Sequence, residues 1–179
     1  MEKEILNKRV EEKEEKLKQN ILFNAIIFKL DKSFFAININ YLQEIIFFKT
    51  IYRVPNTAKE LLGVINLRGN IVPVFSLKSI LQENEEIKQD NKIYDEEKLI
   101  LILKDKKDVF GLVVDSIYKN VAVVEEKYRS QDVINSWVKN YLFEGIILED
   151  EKEIFTISLS GILDYISVIK QESKYKEAK

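Results

Sequence analysis

Residues 61–77, LLGVINLRGNIVPVFSL, decide the predicted fold of this 179-residue chain. Two apolar runs rich in β-branched residues, Gly63 to Leu67 and Ile71 to Phe75, flank the polar connection Arg68-Gly69-Asn70. Gly and Asn adopt positive φ angles at little cost, so the pattern predicts a β-hairpin. Both strands are more apolar than a half-solvated sheet requires, which indicates a packed sheet or a small barrel.

The amino-acid composition argues against several classes of function. The chain has 28 Lys plus Arg against 30 Asp plus Glu, a balance that argues against a duplex nucleic-acid-binding protein with a concentrated basic face. It has no cysteine and no histidine. Disulfides and thiolate metal sites are therefore excluded, and the usual general base and commonest metal ligand are missing. We expect no enzyme activity, no cofactor and no bound metal.

Charge and hydropathy also bear on location. The chain opens with Met1-Glu2-Lys3-Glu4 rather than an apolar signal core. No uninterrupted apolar run approaches the roughly 18 residues of a membrane span. These patterns predict a cytoplasmic protein without direct membrane insertion.

The chain divides by composition into segments. Residues 1–20 are mostly Glu and Lys and predict a charged, helical N-terminal arm, whereas residues 169–179 predict a charged tail. Between them, the polar segment 82–97 predicts a linker that separates two groups of short strands. Short strands joined by turns, with few helices, favour two small antiparallel barrels packed together. No clear internal sequence repeat accompanies this division.

Local patterns predict the individual elements. Strands are expected at 26–30, 33–37, 51–54, 99–103, 109–115, 121–124, 145–148 and 153–159. Helices or helical turns are expected at 38–47, 56–62, 76–81 and 161–170, the first capped by Asn38 or Asn40 and the second by Asn56.

The run GVINLRGNIVPV, residues 63–74, closely resembles the central signature of the CheW-like family of bacterial chemotaxis coupling proteins. The similarity extends from about residue 21 to about residue 168. Residues 111–117, GLVVDSI, resemble the family's Gly-x-x-Val-Asp-x-Val strand, and residues 145–147 and 157–159 resemble its closing hairpin. Residues 41–45, YLQEI, are similar to its early helical turn.

This resemblance implies a fold and a function. Family members fold as two five-stranded, SH3-like barrels around a shared core, with short helices and a C-terminal helix, and they have no catalytic activity. The implied function is that of an adaptor in membrane-associated signalling arrays. It would couple the cytoplasmic tips of chemoreceptors (methyl-accepting proteins) to the regulatory domain of the chemotaxis histidine kinase, which is itself CheW-like.

The resemblance also implies site residues. Glu44 and Arg68 match a family Glu and Arg implicated in a salt bridge and in receptor contact, and Leu42 and Gly69 belong to the same implied receptor site. A kinase-binding surface is implied more loosely between residues 113 and 124 and is represented by three residues: Val113, Asp115 and Val121.

Two alternatives remain open at this point. Arg68 is either a solvated turn residue or a partner-binding residue. Small barrels also bind single-stranded nucleic acid on stacked aromatic side chains, which makes such a protein the alternative function. The aromatic residues that could serve are Phe23, Phe28, Phe34, Phe35, Phe47, Phe48 and Tyr52. At strand spacing most of them favour a core position, and alternation predicts that one of Phe47 and Phe48 is exposed.

Overall fold

The structure is a computed structural model that describes residues 20–81, 97–131 and 140–177. The predicted N-terminal arm, apart from Asn20, and nearly all of the 82–97 linker lie outside these residues. The strands are β1 (Ile21–Leu30), β2 (Ser33–Asn38), β3 (Leu42–Phe47), β4 (Leu61–Leu67), β5 (Asn70–Ser76), β6 (Leu99–Asp105), β7 (Asp108–Val114), β8 (Ser116–Val124), β9 (Tyr128–Ser130), β10 (Phe143–Glu149) and β11 (Lys152–Ile157). The helices are α1 (Leu77–Leu81) and α2 (Leu159–Glu177), and three 3-10 turns cover Ile39–Tyr41, Glu125–Lys127 and Asn140–Leu142. Within the described ranges, no helix combines the length and the apolar character needed to cross a membrane.

The strands form two sheets, as the prediction of a mainly β fold requires. One sheet has six strands in the order β8-β1-β2-β11-β10-β9, and the other has five in the order β3-β6-β7-β5-β4. Three apolar clusters hold them together. One lies within the five-stranded sheet around Ile65 and Ile102, and one within the six-stranded sheet around Ile27 and Ile154. The third and largest joins both sheets to the helices, so each curved sheet has its own interior and shares a core with the other.

The predicted division of the strands at residues 82–97 is wrong. Strands β6 and β7 follow this segment, yet they complete the sheet of β3, β4 and β5, while β1 and β2 lie in the sheet of β8 to β11. The prediction assumed that strands close in sequence pair with one another. Here two hairpins, β1–β2 and β6–β7, are exchanged between the halves of the chain.

This exchange gives the two sheets the same topology. In the five-stranded sheet β3 pairs with the hairpin β6–β7, whose second strand runs parallel to β5 of the hairpin β4–β5. In the six-stranded sheet β8 pairs with the hairpin β1–β2, whose second strand runs parallel to β11 of the hairpin β10–β11. The chain is therefore an internal structural duplication, with β9 as an addition to one sheet.

A short sequence repeat marks the same duplication. The pattern Ser-Leu-x-x-Ile-Leu occurs at residues 76–81 and again at residues 158–163, in each case where the last strand of a hairpin gives way to a helix. The hydroxyl of Ser76 accepts the backbone N–H of Ser79, and the hydroxyl of Ser158 accepts that of Gly161, both at 3.1 Å. Each serine thus caps the helix that follows it.

The helix predicted over residues 38–47 is wrong for a specific reason. Asn38 does cap a helical turn, since its side chain accepts the N–H of Asn40, but the turn ends at Tyr41 and β3 follows. A register shift between Leu42 and Glu44 leaves Gln43 as a bulge in β3. Within β3 half-buried residues still alternate with exposed ones, so the helix-like spacing of three arises between Ile39 in the 3-10 turn and Leu42 in the strand.

Two other local predictions also differ from the structure. Residues 56–62 form turns rather than a helix, because Asn56 adopts a φ of 58° and β4 begins at Leu61. The strand predicted at 51–54 is reduced to a single bridge between Tyr52 and Val64. At the C-terminus, α2 continues to Glu177 through most of the segment that was predicted to be a charged tail.

Thr156 provides a test of the duplication. Its Oγ1 is buried and has no hydrogen-bond partner within the described residues, and its counterpart in the other sheet is the fully buried Val74. We expect Thr156→Val to raise the free energy of unfolding by about 1 kcal/mol, because it removes a hydroxyl that is desolvated without compensation. Urea denaturation measures this change. Thr57→Val is the control, since the Thr57 hydroxyl donates to the carbonyl of Val54 and should not be stabilising to remove; an equal gain from both variants would contradict the assignment.

Candidate interaction site

The turn between β4 and β5 consists of Arg68 and Gly69, with φ angles of 52° and 88°. The hairpin is as predicted, except that Asn70 belongs to β5. Two-residue turns with positive φ at both positions favour Asn-Gly or Asp-Gly, because a longer side chain in the left-handed region is strained. The Asn66 side chain braces the turn by accepting the N–H of Gly69 at 2.8 Å. Arg68 thus occupies a position where Asn would be less costly.

Arg68 forms an ion pair across the two edges of the five-stranded sheet. Its Nη2 lies 2.9 Å from Oε2 of Glu44 on β3, and the Arg68 side chain is 76% exposed against 20% for Glu44. Nearby, Nζ of Lys49 donates to the carbonyl of Asn66 at 2.7 Å, so a second contact also links these edges. An exposed pair of this kind contributes only about 0–1 kcal/mol to stability. Its main effect is to orient the guanidinium.

The Arg68 guanidinium retains capacity for a partner. Within the described residues, Nη2 is the only atom of the group that donates a hydrogen bond. The remaining N–H groups could bind a carboxylate in the fork geometry that arginine favours.

Exposed apolar side chains flank this ion pair. Ile45 is 37% exposed and Phe47 is 77% exposed on β3, and Ile71 is 76% exposed on β5. Phe48 packs on the core of the five-stranded sheet, which confirms the prediction that one residue of the Phe47–Phe48 pair is exposed. An orienting charge beside exposed apolar surface is the usual composition of a protein-binding patch.

The four residues of the implied receptor site fall into two environments. Arg68 and Gly69 form the tip of the β4–β5 hairpin, and Glu44 on β3 contacts this tip through its ion pair with Arg68. Leu42, on the same strand as Glu44, packs against the shared core and is half-buried.

The three residues of the implied kinase site do not form one surface. Val113 is 5% exposed in the core of the five-stranded sheet, so its burial is incompatible with direct contact to a partner. Val121 is half-buried against the core of the other sheet. Asp115 lies in the connection where the chain passes from β7 to β8. Sequence spacing alone did not show which side chains of these strands face inward.

Asp115 joins three elements at this crossing. Its carboxylate accepts the backbone N–H of Asp31 at 2.6 Å and Nζ of Lys98 at 2.7 Å, and Asp31 is itself paired with Lys78 on α1. Partial burial alone would raise the pKa of Asp115, but the hydrogen bonds from Lys98 and Asp31 and the charges of Lys98 and Lys78 outweigh it and lower the pKa below the ordinary aspartate value. The folded state therefore favours the ionised carboxylate.

This geometry makes stability depend on pH through Asp115. A lowered folded-state pKa contributes stability above the unfolded pKa, and that contribution is lost as the pH falls through the folded value. We expect Asp115→Asn to reduce the free energy of unfolding by about 1–2 kcal/mol at neutral pH, with the difference from wild type shrinking toward zero below the ordinary aspartate pKa. Denaturant titrations at several pH values measure it. Asp108→Asn, an exposed position on β7, serves as the control; a deficit for Asp115→Asn that persisted at low pH would contradict the argument.

A cavity of about 370 Å³ lies on another part of the five-stranded sheet, between residues 54–58, β5 and the α2 residues Ile169 and Lys170. It includes none of the predicted site residues.

The aromatic residues considered for nucleic-acid stacking pack mainly on one another and on the cores. Phe28 is fully buried and stacks on Phe35, and Phe34 and Phe23 pack on the core of the six-stranded sheet. The alternative of a nucleic-acid-binding protein is not supported.

Two packed barrels with an oriented charge in an exposed apolar patch define a β-barrel protein-interaction module. Comparisons with known proteins identify its family. Residues 24–167 match the CheW-like domain. The chain is 32% identical to the chemotaxis protein CheW of Klebsiella aerogenes over 138 residues, which are 77% of this chain and 80% of that protein. It is 26% identical to the chemotaxis protein CheW of Thermotoga maritima over 148 residues, 82% of this chain and 91% of the other.

A solved structure agrees with these sequence comparisons. The crystal structure of the scaffolding protein TtCheW from Thermoanaerobacter tengcongensis superposes with a TM-score of 0.66 at 25% identity, covering 76% of this chain and 89% of that one. The chain belongs to the CheW-like family of chemotaxis coupling proteins.

Proposed function

We propose that this chain is a non-catalytic adaptor in the cytoplasm that couples chemoreceptor tips to the regulatory domain of the chemotaxis histidine kinase at membrane-associated arrays. Membership of the CheW-like family supports this function, as does the similarity to a protein described as a scaffold. In this proposal the charged N-terminal arm and the polar linker are appendages to the two-barrel domain.

The observation that carries the proposal is the state of Arg68. The residue holds a left-handed backbone conformation with a φ of 52°, is mostly exposed, and is oriented by Glu44. The left-handed conformation is common to the hairpin turns of this chain, since Lys106 shares it, so it is the exposure of the Arg68 side chain and its ion pair beside apolar surface that support the proposal. Orientation by Glu44 also reduces the side-chain entropy that Arg68 loses on binding. Arg68 is thus suited to meet an acidic group on the receptor tip.

The hairpin tip provides a sharp test. Arg68→Asn gives the turn its favoured Asn-Gly sequence, so we expect no loss of stability beyond the small contribution of the exposed ion pair. We expect its affinity for a purified receptor cytoplasmic fragment to fall at least about tenfold, which corresponds to about 1.4 kcal/mol. Titration calorimetry and thermal melting measure the two quantities in parallel.

A matched control comes from the equivalent position in another hairpin. Lys106 opens the β6–β7 turn with a φ of 50°, so Lys106→Asn makes the same exchange of a cation for Asn in the same backbone conformation. It should bind the receptor fragment as the wild type does. Glu44→Gln should show a smaller loss than Arg68→Asn, since it leaves the guanidinium in place but less well oriented. If Arg68→Asn formed receptor and kinase complexes with wild-type affinity, the proposed role of the hairpin tip would be wrong.

A further inference from the structure

Asn66, an exposed residue on β4, links the turn that carries Arg68 to both edges of the five-stranded sheet. Its side-chain Oδ1 accepts the N–H of Gly69 at 2.8 Å, which holds the second residue of the turn. Its backbone carbonyl accepts Nζ of Lys49, just after β3, at 2.7 Å. The strand immediately before the turn is therefore fixed from the opposite edge, and the turn is fixed to that strand.

The turn does not need the Asn66 side chain in order to form. The β10–β11 hairpin also has a two-residue turn with positive φ at both positions, 49° at Asp150 and 59° at Glu151. The residue two positions before that turn is Leu148, whose side chain has no hydrogen-bond acceptor. A comparable backbone conformation thus forms without an asparagine and even without a glycine.

The other two hairpins lack this contact as well. The β1–β2 turn begins at Asp31 and the β6–β7 turn at Lys106, with φ angles of 54° and 50°. Lys29 and Lys104 stand two positions before these turns, and a lysine side chain cannot accept a hydrogen bond. Among the four two-residue hairpin turns within the described ranges, only the turn that presents Arg68 is held by a side chain of the preceding strand.

Because the turn forms without this contact elsewhere, its effect falls on the position of Arg68. The Arg68 side chain is 76% exposed, so little packing holds it between the hairpin tip and Glu44, 2.9 Å away on the opposite edge strand. The comparable ion pair in the other sheet is less dependent on its turn. There Lys119 contacts Asp150 at 2.8 Å and also Glu149 at 2.7 Å, so a second carboxylate holds the cation.

We propose that Asn66 is a positioning residue for Arg68. By holding Gly69, it keeps the guanidinium on Glu44 with its remaining N–H groups available to the receptor tip. Asn66 needs no contact with the partner, since it acts by reducing the freedom that Arg68 loses on binding. The inference rests on the proposed receptor role of Arg68.

The test is a double-mutant cycle in the full chain, with the purified receptor cytoplasmic fragment as the probe. Asn66→Ala removes the acceptor, and its effect is measured alone and in combination with Arg68→Asn. Residues that act through one another give non-additive changes in binding, whereas independent residues give additive ones. Asn70→Ala is the matched control, because it makes the same exchange at an exposed residue directly after the turn, whose side chain has no hydrogen-bond partner in the described part of the chain.

We expect Asn66→Ala alone to weaken receptor binding about threefold to tenfold, the equivalent of one hydrogen bond. Combined with Arg68→Asn, it should weaken binding by less than about twofold further, since no guanidinium is left to position. Asn70→Ala should bind as the wild type does. The melting temperature of Asn66→Ala should fall by no more than about 4 °C, so a loss of affinity is not a loss of fold.

An equal loss of affinity from Asn66→Ala with and without Arg68→Asn would overturn the inference, because Asn66 would then act independently of Arg68. Wild-type affinity for Asn66→Ala, or an equal loss from Asn70→Ala, would overturn it as well. The two proposals fail in different ways. Wild-type binding by Arg68→Asn refutes the receptor role of Arg68 and the inference with it, whereas weak binding by Arg68→Asn beside wild-type binding by Asn66→Ala refutes the positioning role alone.

Discussion

The parallel pairing of β5 with β7 and of β2 with β11 is the constraint on which the architecture depends. Each pairing joins a hairpin from one half of the chain to a hairpin from the other, so neither sheet can form from one half alone. The shared apolar cluster adds residues from both halves and from both helices. Because most of these contacts are distant in sequence, we infer that the two barrels fold as one cooperative unit rather than as separate domains.

The sequence predicted what local chemistry determines. The hairpin at Arg68-Gly69 followed from two β-branched runs around a turn-forming pair, and the mainly β class followed from short strands and turns. The exchange of hairpins could not be predicted in this way, because it depends on Ala36 lying beside Thr156 and Gly111 beside Val74, pairs that no sequence periodicity links. A 3-10 turn directly before β3 gave residues 38–47 the spacing of a helix, and the family resemblance placed Val113 in a binding surface although β7 is buried on both faces there.

The duplication could not be detected in the sequence for a related reason. Equivalent positions share burial but not residue identity, so Val74 corresponds to Thr156 and Phe75 to Ile157. Only Ser-Leu-x-x-Ile-Leu remained recognisable, because a helix cap requires a particular side chain whereas a core position accepts several. This short repeat is a signal in the sequence that could have revealed the duplication.

The ion pairs show that the two sheets share a backbone geometry but carry different charges on it. In both sheets the backbone supplies a bulged edge strand and a left-handed turn residue within reach of each other. A pair of opposite charges satisfies this geometry in either order, so the fold leaves the sign of the charge at each position undetermined. Arg68 pairs with Glu44 in one sheet, and in the other Asp150 pairs with Lys119, which also pairs with Glu149 at 2.7 Å. Since exposed pairs contribute only about 0–1 kcal/mol to stability, folding places little constraint on the sign of the charge at either turn. A scaffold duplicated in this way can present opposite charges on its two sheets without any change in its core.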